Sequence, residues 1–345
     1  MDHKTPFVSI VIPCFNEVTH IEDCLQSILQ QEAIPGSFEI IVADGMSNDG
    51  TREVLSRLEK QIPHLRVVDN PARIQSAGLN AALRETRGAI VIRMDAHTTY
   101  ARDYVTECLN VMKESGADNV GGPVCTHSTG YIQRAISAAY HSAFSAGGAR
   151  FHNPLYEGYV DTVPYGCWRR EVFERIGLFD ENLGRNEDDE FNLRLIRLGG
   201  KIWQSPRIKS WYSSRTSLVS LFRQYMQYGY WKVRLIQKHR IPASLRHVIP
   251  GFFLLSLMLS VLVMLVWPTT WWICMGILGS YSICNVFASI ITARSFDWKL
   301  LAILPVVFAC YHFGYASGFL HGIADFVVLR RCPASIHTAL TRPHG

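Results

Sequence analysis

Short apolar runs alternate with helical patterns over the first hundred residues of the chain. The predicted strands are residues 8–13, 38–45, 65–70 and 88–95. Between the first two strands, Ile21, Leu25 and Ile28 recur at the spacing of one helix face, and residues 51–61 carry a second helical pattern. Continuous apolar strands that alternate with helices are typical of a parallel sheet covered on both faces. The pattern therefore predicts a doubly wound α/β fold.

Polar side chains stand at the ends of these predicted strands. Asn16 and Glu17 follow the first strand, Asp44 ends the second, and Asp95 and His97 end the fourth. In open α/β sheets, ligands bind beyond the carboxyl ends of the strands. The pattern therefore predicts a ligand site at this edge of the sheet.

The C-terminal third of the chain is strongly apolar. From Val248 to Leu329 only four residues are formally charged. The predicted membrane segments are 248–267, 271–293 and 300–329. Gly314, Gly318 and Gly322 would let the third segment bend or re-enter the membrane, and buried helices of a globular core are the alternative for all three.

Basic residues are concentrated just before the apolar third. Residues 201–247 contain ten Lys and Arg and no Asp or Glu. Such a segment beside membrane spans predicts a cytoplasmic surface facing anionic lipid, with a nucleic-acid surface as the rival interpretation. The N-terminus lacks a signal-peptide pattern, so we expect a multi-pass protein of the cytoplasmic membrane, with a cytoplasmic catalytic domain and no nucleic-acid partner.

The nine cysteines are scattered without a paired or ligand-like spacing, which indicates neither a zinc module nor a disulfide framework. A denser chemical signal is the run of four carboxylates from Glu187 to Glu190. Adjacent ionised carboxylates repel one another, which is costly in a purely structural loop. A helix start favoured by the helix dipole accounts for at least two of the four.

Four separated motifs resemble those of the family 2 glycosyltransferases. They are VSIVIPCFNE, IVADGMSNDGT, the Asp95–Ala96–His97 turn and NEDDEFNLRL, in the order and rough spacing of that family. The resemblance implies an inverting enzyme with a GT-A fold, which is Rossmann-like with a doubly wound, mostly parallel sheet, followed here by C-terminal transmembrane helices. The segment RQYMQYGYWK is similar to the membrane-anchored branch that makes succinoglycan-type exopolysaccharides.

The domain boundaries follow from the resemblance and the apolar segments together. We expect a GT-A domain at 1–240, with its nucleotide-binding half at about 1–100 and its acceptor half at about 101–240. A membrane domain would follow at 241–332, and a tail at 333–345.

The resemblance also implies a donor site. Its nucleotide-sugar contacts would be Pro13, Asn16, Glu17, Asp44, Arg73, Asn80 and Asp95. Asp44 matches the acid that accepts the N3–H of uracil in the family, which favours a UDP-sugar. A simple turn at Asp44–Gly45 is the alternative.

Asp95 and His97 match the metal-binding motif of the family, with one departure. Most relatives carry Asp-x-Asp, whose last carboxylate ligates Mg²⁺ or Mn²⁺ at the donor phosphates. Imidazole at His97 is a good ligand for transition metals and a poor one for Mg²⁺, so we expect Asp95 and His97 to bind Mn²⁺ rather than Mg²⁺. The Asp-x-His form is similar to that of the polypeptide GalNAc-transferases, and a structural histidine is the alternative.

The acceptor side is assigned through the resemblance as well. Asp188 matches the general base of the family, with Glu187 beside it. Gln227 and Trp231 lie in QYGYW, which is similar to the Q-x-x-R-W element lining the acceptor site of processive synthases, although Tyr230 replaces its arginine. A helix at the membrane interface is an equal interpretation.

These expectations define a function. The chain would transfer a hexose, with UDP-glucose as the expected donor, to a polyprenyl-linked oligosaccharide in exopolysaccharide or cell-surface glycan synthesis. A glycan-assembly complex would be a partner. The alternatives are a polyprenyl-phosphate monosaccharide synthase and a non-catalytic membrane scaffold. The presence of Asp44, Asp95 and Asp188 together favours the enzyme.

Overall fold

The chain forms two compact units. The computed structural model describes residues 7–32, 34, 36–242, 244–333 and 335–338. Within them, the first unit contains the residues up to Thr126 together with Asn153–Ser213, and the second contains His127–His152 and the residues from Ser214 onward. This division differs from the expected boundary at residue 240, because residues 127–152 and 214–240 group with the apolar third of the chain.

The strands of the described residues are short except for the first three. They are β1 (Val8–Cys14), β2 (Phe38–Asp44), β3 (Leu65–Asp69), β4 (Ile90–Arg93), β5 (Thr98–Tyr100), β6 (Asn119–Gly121), β7 (Val124–His127), β8 (Gly158–Tyr159), β9 (Cys167–Arg169), β10 (Ile202–Gln204) and β11 (Ser210–Ser213). The four strands expected from the apolar runs correspond to β1 to β4.

Eight of these described strands form one sheet in the order β3-β2-β1-β4-β9-β6-β10-β8. β1 is parallel to β2 and β4, β2 is parallel to β3, and β6 is parallel to β10. β9 is antiparallel to both β4 and β6, and β8 is antiparallel to β10. The expected α/β class with a mostly parallel sheet is confirmed. A second sheet has the order β5-β11-β7.

Helices cover the sheet and make up most of the second unit. They are α1 (Ile21–Leu29), α2 (Thr51–Gln61), α3 (Gln75–Glu85), α4 (Tyr104–Ser115), α5 (Tyr131–Tyr140), α6 (Ala143–Ala146), α7 (Arg170–Ile176), α8 (Glu187–Arg197), α9 (Leu218–His239), α10 (Ile249–Val266), α11 (Trp271–Ser295) and α12 (Leu304–Gly322).

The core of the first unit forms where β1 meets α1. Ile10 and Ile12 on β1 and Ile21, Leu25 and Ile28 on α1 are fully buried and belong to one apolar cluster. Burying each such side chain contributes about 1.5–3 kcal/mol. The apolar face of α1 therefore packs on the apolar side chains of β1. This packing holds β1 in place, so that its polar carboxyl end lies at one edge of the sheet.

Two helices of the described residues are long and apolar enough to cross a membrane. They are Ile249–Val266, and the stretch Pro268–Ser295 that contains α11. Only 11% and 17% of the residues in their apolar windows are buried within the protein. They match the expected segments 248–267 and 271–293.

The third expected membrane segment, 300–329, does not form a further helix of this kind. It forms α12 and a π-helical continuation over Ile323–Leu329. The expectation that these glycines let the segment bend or re-enter the membrane stays a prediction. A Cβ on Gly318 would lie 1.8 Å from the carbonyl oxygen of Met226, and one on Gly322 would lie 2.7 Å from that of Tyr230. The glycines let α12 pack directly on the backbone of α9.

The start of α10 and the end of α11 meet the same part of the second unit. Arg134 of α5 forms an ion pair with Asp297 at 2.6 Å, just after α11. The hydroxyl of Tyr315 on α12 donates to the carbonyl of His247, just before α10, at 3.0 Å. Since α5 and α12 contact each other, the pair α10–α11 forms a hairpin whose two ends lie together.

Candidate active site

The carboxyl ends of β1, β2 and β4 lie side by side. In the register of the sheet, Cys14 of β1 pairs with Asp44 of β2, and Val11 of β1 pairs with Arg93 of β4. The residues that follow these strands therefore meet at one edge, as the sequence predicts for a parallel α/β sheet.

Asp44 is enclosed at this edge. Its side chain is 0% exposed, and its carboxylate accepts hydrogen bonds from the Ser47 backbone N–H (3.1 Å), the Ser47 hydroxyl (2.5 Å) and Arg52 Nη1 (2.8 Å). Arg52 also pairs with Asp69 at 2.9 Å, and its side chain is 40% exposed. Asp44 thus stabilises the loop after β2, and Arg52 covers the Asp44 carboxylate from the solvent side.

The loop after β1 is attached to the loop after β2. Asn16 has a left-handed backbone, with φ of 55°, and its N–H donates to the Ser47 hydroxyl at 2.8 Å. The Asn48 N–H donates to Asn16 Oδ1 at 3.0 Å, and the Glu17 N–H donates to the Thr51 hydroxyl at 2.9 Å. These bonds hold Asn16 and Glu17 at the same edge as Asp44. Pro13 lies one residue before the end of β1.

His97 is paired with Glu17. Its Nδ1 lies 2.8 Å from Glu17 Oε1, and its ring packs edge-on against Tyr212, with the ring centroids 5.9 Å apart. An ionised carboxylate only accepts hydrogen bonds, so the neutral imidazole that suits this contact is the tautomer with its proton on Nδ1 and its lone pair on Nε2. A carboxylate partner of this kind is typical of a histidine that ligates a metal through its other nitrogen.

The centre of the site is Arg93, whose side chain is 3% exposed. Its Nε donates to Asp95 Oδ1 at 3.0 Å, and its Nη1 pairs with Asp188 Oδ1 and lies 3.5 Å from Glu187 Oε1. This guanidinium brings together carboxylates from the end of β4 and from the first turn of α8, which are more than ninety residues apart in the chain. Three carboxylates thus share one positive charge.

The burial and the neighbouring charges of this cluster change the pKa of Asp188. Burial raises the pKa of Asp188 well above its ordinary value, Arg93 opposes this shift, and the neighbouring Glu187 and Asp95 add to it. A carboxylate whose pKa is raised binds protons more strongly, as a general base near neutral pH requires.

The acidic residues at the start of α8 have different partners. Glu190 is fully buried and accepts from Arg194 on the next turn at 2.9 Å, so its role is to hold the helix. Glu187 and Asp188 face Arg93. The sequence-based expectation that at least two of the four carboxylates have a structural or helix-start role is compatible with this arrangement.

A divalent cation fits this site only if the donor completes its coordination. Among the residues that the structure describes, there is no group of three or more His, Cys, Asp or Glu side chains that could hold a metal. Asp95 Oδ2 is held weakly, 3.4 Å from Arg93 Nη2 and 3.5 Å from Gln75 Nε2. The expectation that Asp95 and His97 supply two ligands, with phosphate oxygens supplying others, stays a prediction.

Two further predicted donor contacts lie on α3 or just before it. Asn80 of α3 is buried, donates to the carbonyl of Phe179 and to Glu181 at 2.8 Å each, and accepts from the Phe179 N–H at 2.9 Å. Arg73 lies in the turn before α3 with φ of 58° and an exposed side chain. Their contacts with a nucleotide stay predictions.

Gln227 and Trp231 lie on α9 in the second unit. Gln227 Nε2 donates to the carbonyl of Ile336 at 3.0 Å, and Trp231 Nε1 donates to that of His337 at 2.9 Å. The ring of His337 stacks on Tyr230, with the ring centroids 3.7 Å apart. In this structure the QYGYW segment therefore binds the chain's own residues 336–337, and its contact with an acceptor stays a prediction.

Sequence analysis missed Arg93 and Arg52. Arg93 carries a visible signal, since it is a charged residue at the end of an apolar strand and directly precedes the Asp95–Ala96–His97 turn. Arg52 lies in an ordinary helical pattern, so its contact with Asp44 becomes evident only once the loop after β2 is folded.

Comparisons with known proteins agree with this geometry. The family model described as Glycosyl transferase family 2 matches residues 9–177. The succinoglycan biosynthesis protein ExoA of Rhizobium meliloti (strain 1021) is 35% identical over 243 residues, covering 70% of this chain and 73% of its own.

A second relative covers nearly the whole chain. It is the dolichyl N-acetyl-alpha-D-glucosaminyl phosphate 3-beta-D-2,3-diacetamido-2,3-dideoxy-beta-D-glucuronosyltransferase of Methanococcus voltae, 27% identical over 332 residues, or 93% of this chain and 99% of that one. Among solved structures, the mannosyltransferase PcManGT from Pyrobaculum calidifontis, in complex with GDP-Man and Mn²⁺, is similar at a TM-score of 0.57 and 19% identity. It covers 92% of this chain and 88% of that one, and it supports a GT-A-like fold.

Proposed function

The chain belongs to glycosyl transferase family 2, and from that membership we propose that it transfers a hexose, with inversion, from a UDP-sugar such as UDP-glucose to a lipid-linked oligosaccharide. The product would enter an exopolysaccharide or another cell-surface glycan. The relative named for succinoglycan biosynthesis supports this class of product.

The observation that carries the proposal is the meeting of Asp95 and Asp188 at Arg93. Asp95 follows β4, at the sheet edge where Asn16 follows β1 and Asp44 ends β2. Asp188 begins α8 and has a raised pKa. A donor-side carboxylate and a group suited to accept a proton therefore lie within reach of one guanidinium.

The chemistry assigned to this geometry is a single displacement. Asp188 accepts the proton of the acceptor hydroxyl while that oxygen forms a bond to the anomeric carbon, and the bond from that carbon to the diphosphate breaks. The nucleoside diphosphate leaves with the electron pair, so the configuration inverts without a covalent sugar–enzyme intermediate. A divalent cation held by Asp95 and His97 would stabilise the negative charge of the leaving diphosphate.

The base pocket is proposed at Asp44. Its two oxygens offer about four acceptor positions, of which three are occupied by Ser47 and Arg52. The partly exposed Arg52 covers this carboxylate, so a uracil N3–H would reach it once Arg52 moves aside. Pro13, Asn16 and Arg73 would line the same pocket.

Two observations support a lipid-linked acceptor. The Methanococcus voltae relative is named for a dolichyl-linked sugar phosphate, and two helices of this chain are apolar enough to cross a membrane. The named acceptor already carries a sugar, which favours an oligosaccharide acceptor over transfer to the bare polyprenyl phosphate. We place the enzyme at the cytoplasmic face of the cytoplasmic membrane, where a glycan-assembly complex would use its product.

A donor screen tests the proposal. Purified protein in detergent would be incubated with a panel of UDP- and GDP-sugars, with a polyprenyl-linked oligosaccharide, and with Mn²⁺ or Mg²⁺, while nucleotide release and glycolipid product are measured. We expect product and UDP release with one UDP-hexose. Release from GDP-sugars alone would overturn the UDP assignment, and absence of transfer from every donor would favour the scaffold.

A further inference from the structure

Arg93 occupies an unusual position for a charged side chain. All four residues of β4 are buried, and the guanidinium ends this strand with almost no exposure. Removing a cation from water is costly unless its hydrogen bonds are made by oppositely charged partners. Arg93 has three such partners, so its place in the core is stabilised by the carboxylates of the site.

The contacts of Arg93 use different nitrogens for different carboxylates. Nε binds Asp95 Oδ1, and Nη1 binds Asp188 Oδ1. The distance from Nη2 to Asp95 Oδ2, 3.4 Å, is longer than a normal hydrogen bond. One oxygen of each carboxylate is thus held by a close contact with Arg93.

The backbone around each partner is also held in place. The Arg93 N–H donates to the carbonyl of Gly166 at 3.0 Å, and the Asp95 N–H donates to the hydroxyl of Tyr100 at 2.6 Å. Asn186, which precedes α8, has a left-handed backbone with φ of 63° that turns Glu187 and Asp188 into the first helical turn. The planar guanidinium joins these two supported segments.

We propose that Arg93 is a positioning residue that fixes the separation between Asp95 and Asp188, and thereby aligns the acceptor hydroxyl with the donor. A guanidinium presents its N–H groups in a rigid plane, whereas a lysine ammonium is a single point charge on a flexible stem. The inference rests on the proposed function, because it assigns Asp95 to the donor and Asp188 to the acceptor.

A matched pair of substitutions separates positioning from folding. Arg93→Lys keeps the buried positive charge and removes the rigid fork. Arg194→Lys makes the same change on α8. Arg194 contacts Glu190 and the carbonyls of Ile176 and Leu178, which are different partners from those of Arg93. Both variants should lose thermal stability, which controls for the structural cost of replacing an arginine that makes several contacts inside the first unit.

The two variants should differ in kinetics. Arg93→Lys should lower kcat for transfer by about 100-fold, because a small displacement of reacting groups has effects of that order. Its KM for the donor, and its donor affinity measured by calorimetry without acceptor, should stay within about threefold of wild type, since Asp95 is retained. Arg194→Lys should keep kcat at the wild-type level.

Three results would overturn the inference while leaving the proposed function intact. In the first, folded Arg93→Lys retains the wild-type kcat. In the second, its KM and calorimetric affinity for the donor weaken while kcat is unchanged, which would make Arg93 a donor-binding group. In the third, Arg194→Lys loses as much kcat as Arg93→Lys. Failure of wild type to transfer from any donor would instead reject the proposed function and this inference with it.

Discussion

A carboxylic acid enclosed by other carboxylates has an altered acid–base behaviour, and Asp188 is the clearest case at the scale of single residues. Burial raises its pKa, and Arg93 only partly opposes that shift. Because the base must be ionised to accept a proton, transfer should fall on the acid side at a pH above ~3.9, where an ordinary aspartate titrates. The pH dependence of kcat/KM measures this, with thermal melting at each pH as a control for unfolding. An acid limb near pH ~4 would contradict the assignment.

Substitutions at His97 test whether its side chain binds the divalent cation. His97→Ala should lose most of the metal dependence together with the rate, and His97→Asp should recover activity and shift the preference from Mn²⁺ towards Mg²⁺, which prefers oxygen ligands. Glu17→Gln should weaken metal affinity by about 10–100-fold, because a carboxylate partner orients the imidazole. The measurement is the transfer rate as a function of Mn²⁺ or Mg²⁺ concentration, for wild type and the three variants. Identical metal responses of wild type and His97→Ala would make His97 a structural residue.

The residue scale also shows where sequence inference ends. Asp95 and Asp188 could be proposed as site residues from motifs, because each lies next to or within a recognisable element. Their shared contact with Arg93 could not, since it joins β4 to α8 across more than ninety residues. Asp44 was correctly placed at a strand end, but its enclosure by Ser47 and Arg52 depends on the path of the loop.

At the scale of elements, long periodic segments were predictable and short strands were not. β1 to β4 and helices α1 and α2 follow from apolar periodicity, because each repeats its pattern over several residues. β6, β8, β9 and β10 have two or three residues each, too few to display a period. They complete the sheet through pairing that the chain adopts only once it is folded.

The glycines of α12 provide a test of element packing. Gly318→Ala should destabilise the protein by about 1–3 kcal/mol, because the added Cβ would meet the Met226 carbonyl and push α12 away from α9. Gly279→Ala on α11 is the matched control: nothing lies within 4 Å of its added Cβ, and alanine favours the helix. Thermal unfolding in detergent compares the two. Equal melting temperatures would mean that α12 and α9 are not in close contact.

At the scale of the whole molecule, the proposed placement of the chain at a membrane depends on the hairpin α10–α11. Both ends of this hairpin contact the same part of the second unit, so residues before Ile249 and the loop 296–299 should lie on one side. Reporter fusions before residue 249, after 270, and after 297 and 333 measure this. We expect only the fusion after 270 to report the far side. A far-side signal after 333 would mean that 300–329 crosses as well.

Fold class and enzyme family were predictable for the whole molecule, whereas its division into units was not. The apolar strands and four motifs indicate a GT-A-like sheet, and family membership agrees. Residues 127–152 carry no signal of their association with the apolar third of the chain, because that association depends on contacts such as Arg134 with Asp297.

The central claim is that Asp188 removes the acceptor proton in a glycosyl transfer. Its most direct test measures transfer rate and donor affinity on the same preparations of wild type and Asp188→Asn, with Asp189→Asn as the neighbouring control. Asp188→Asn should lose several orders of magnitude in turnover and keep its donor affinity, because it removes the base and keeps the size of the side chain, while Asp189→Asn stays active. Near-normal transfer by Asp188→Asn would contradict the account.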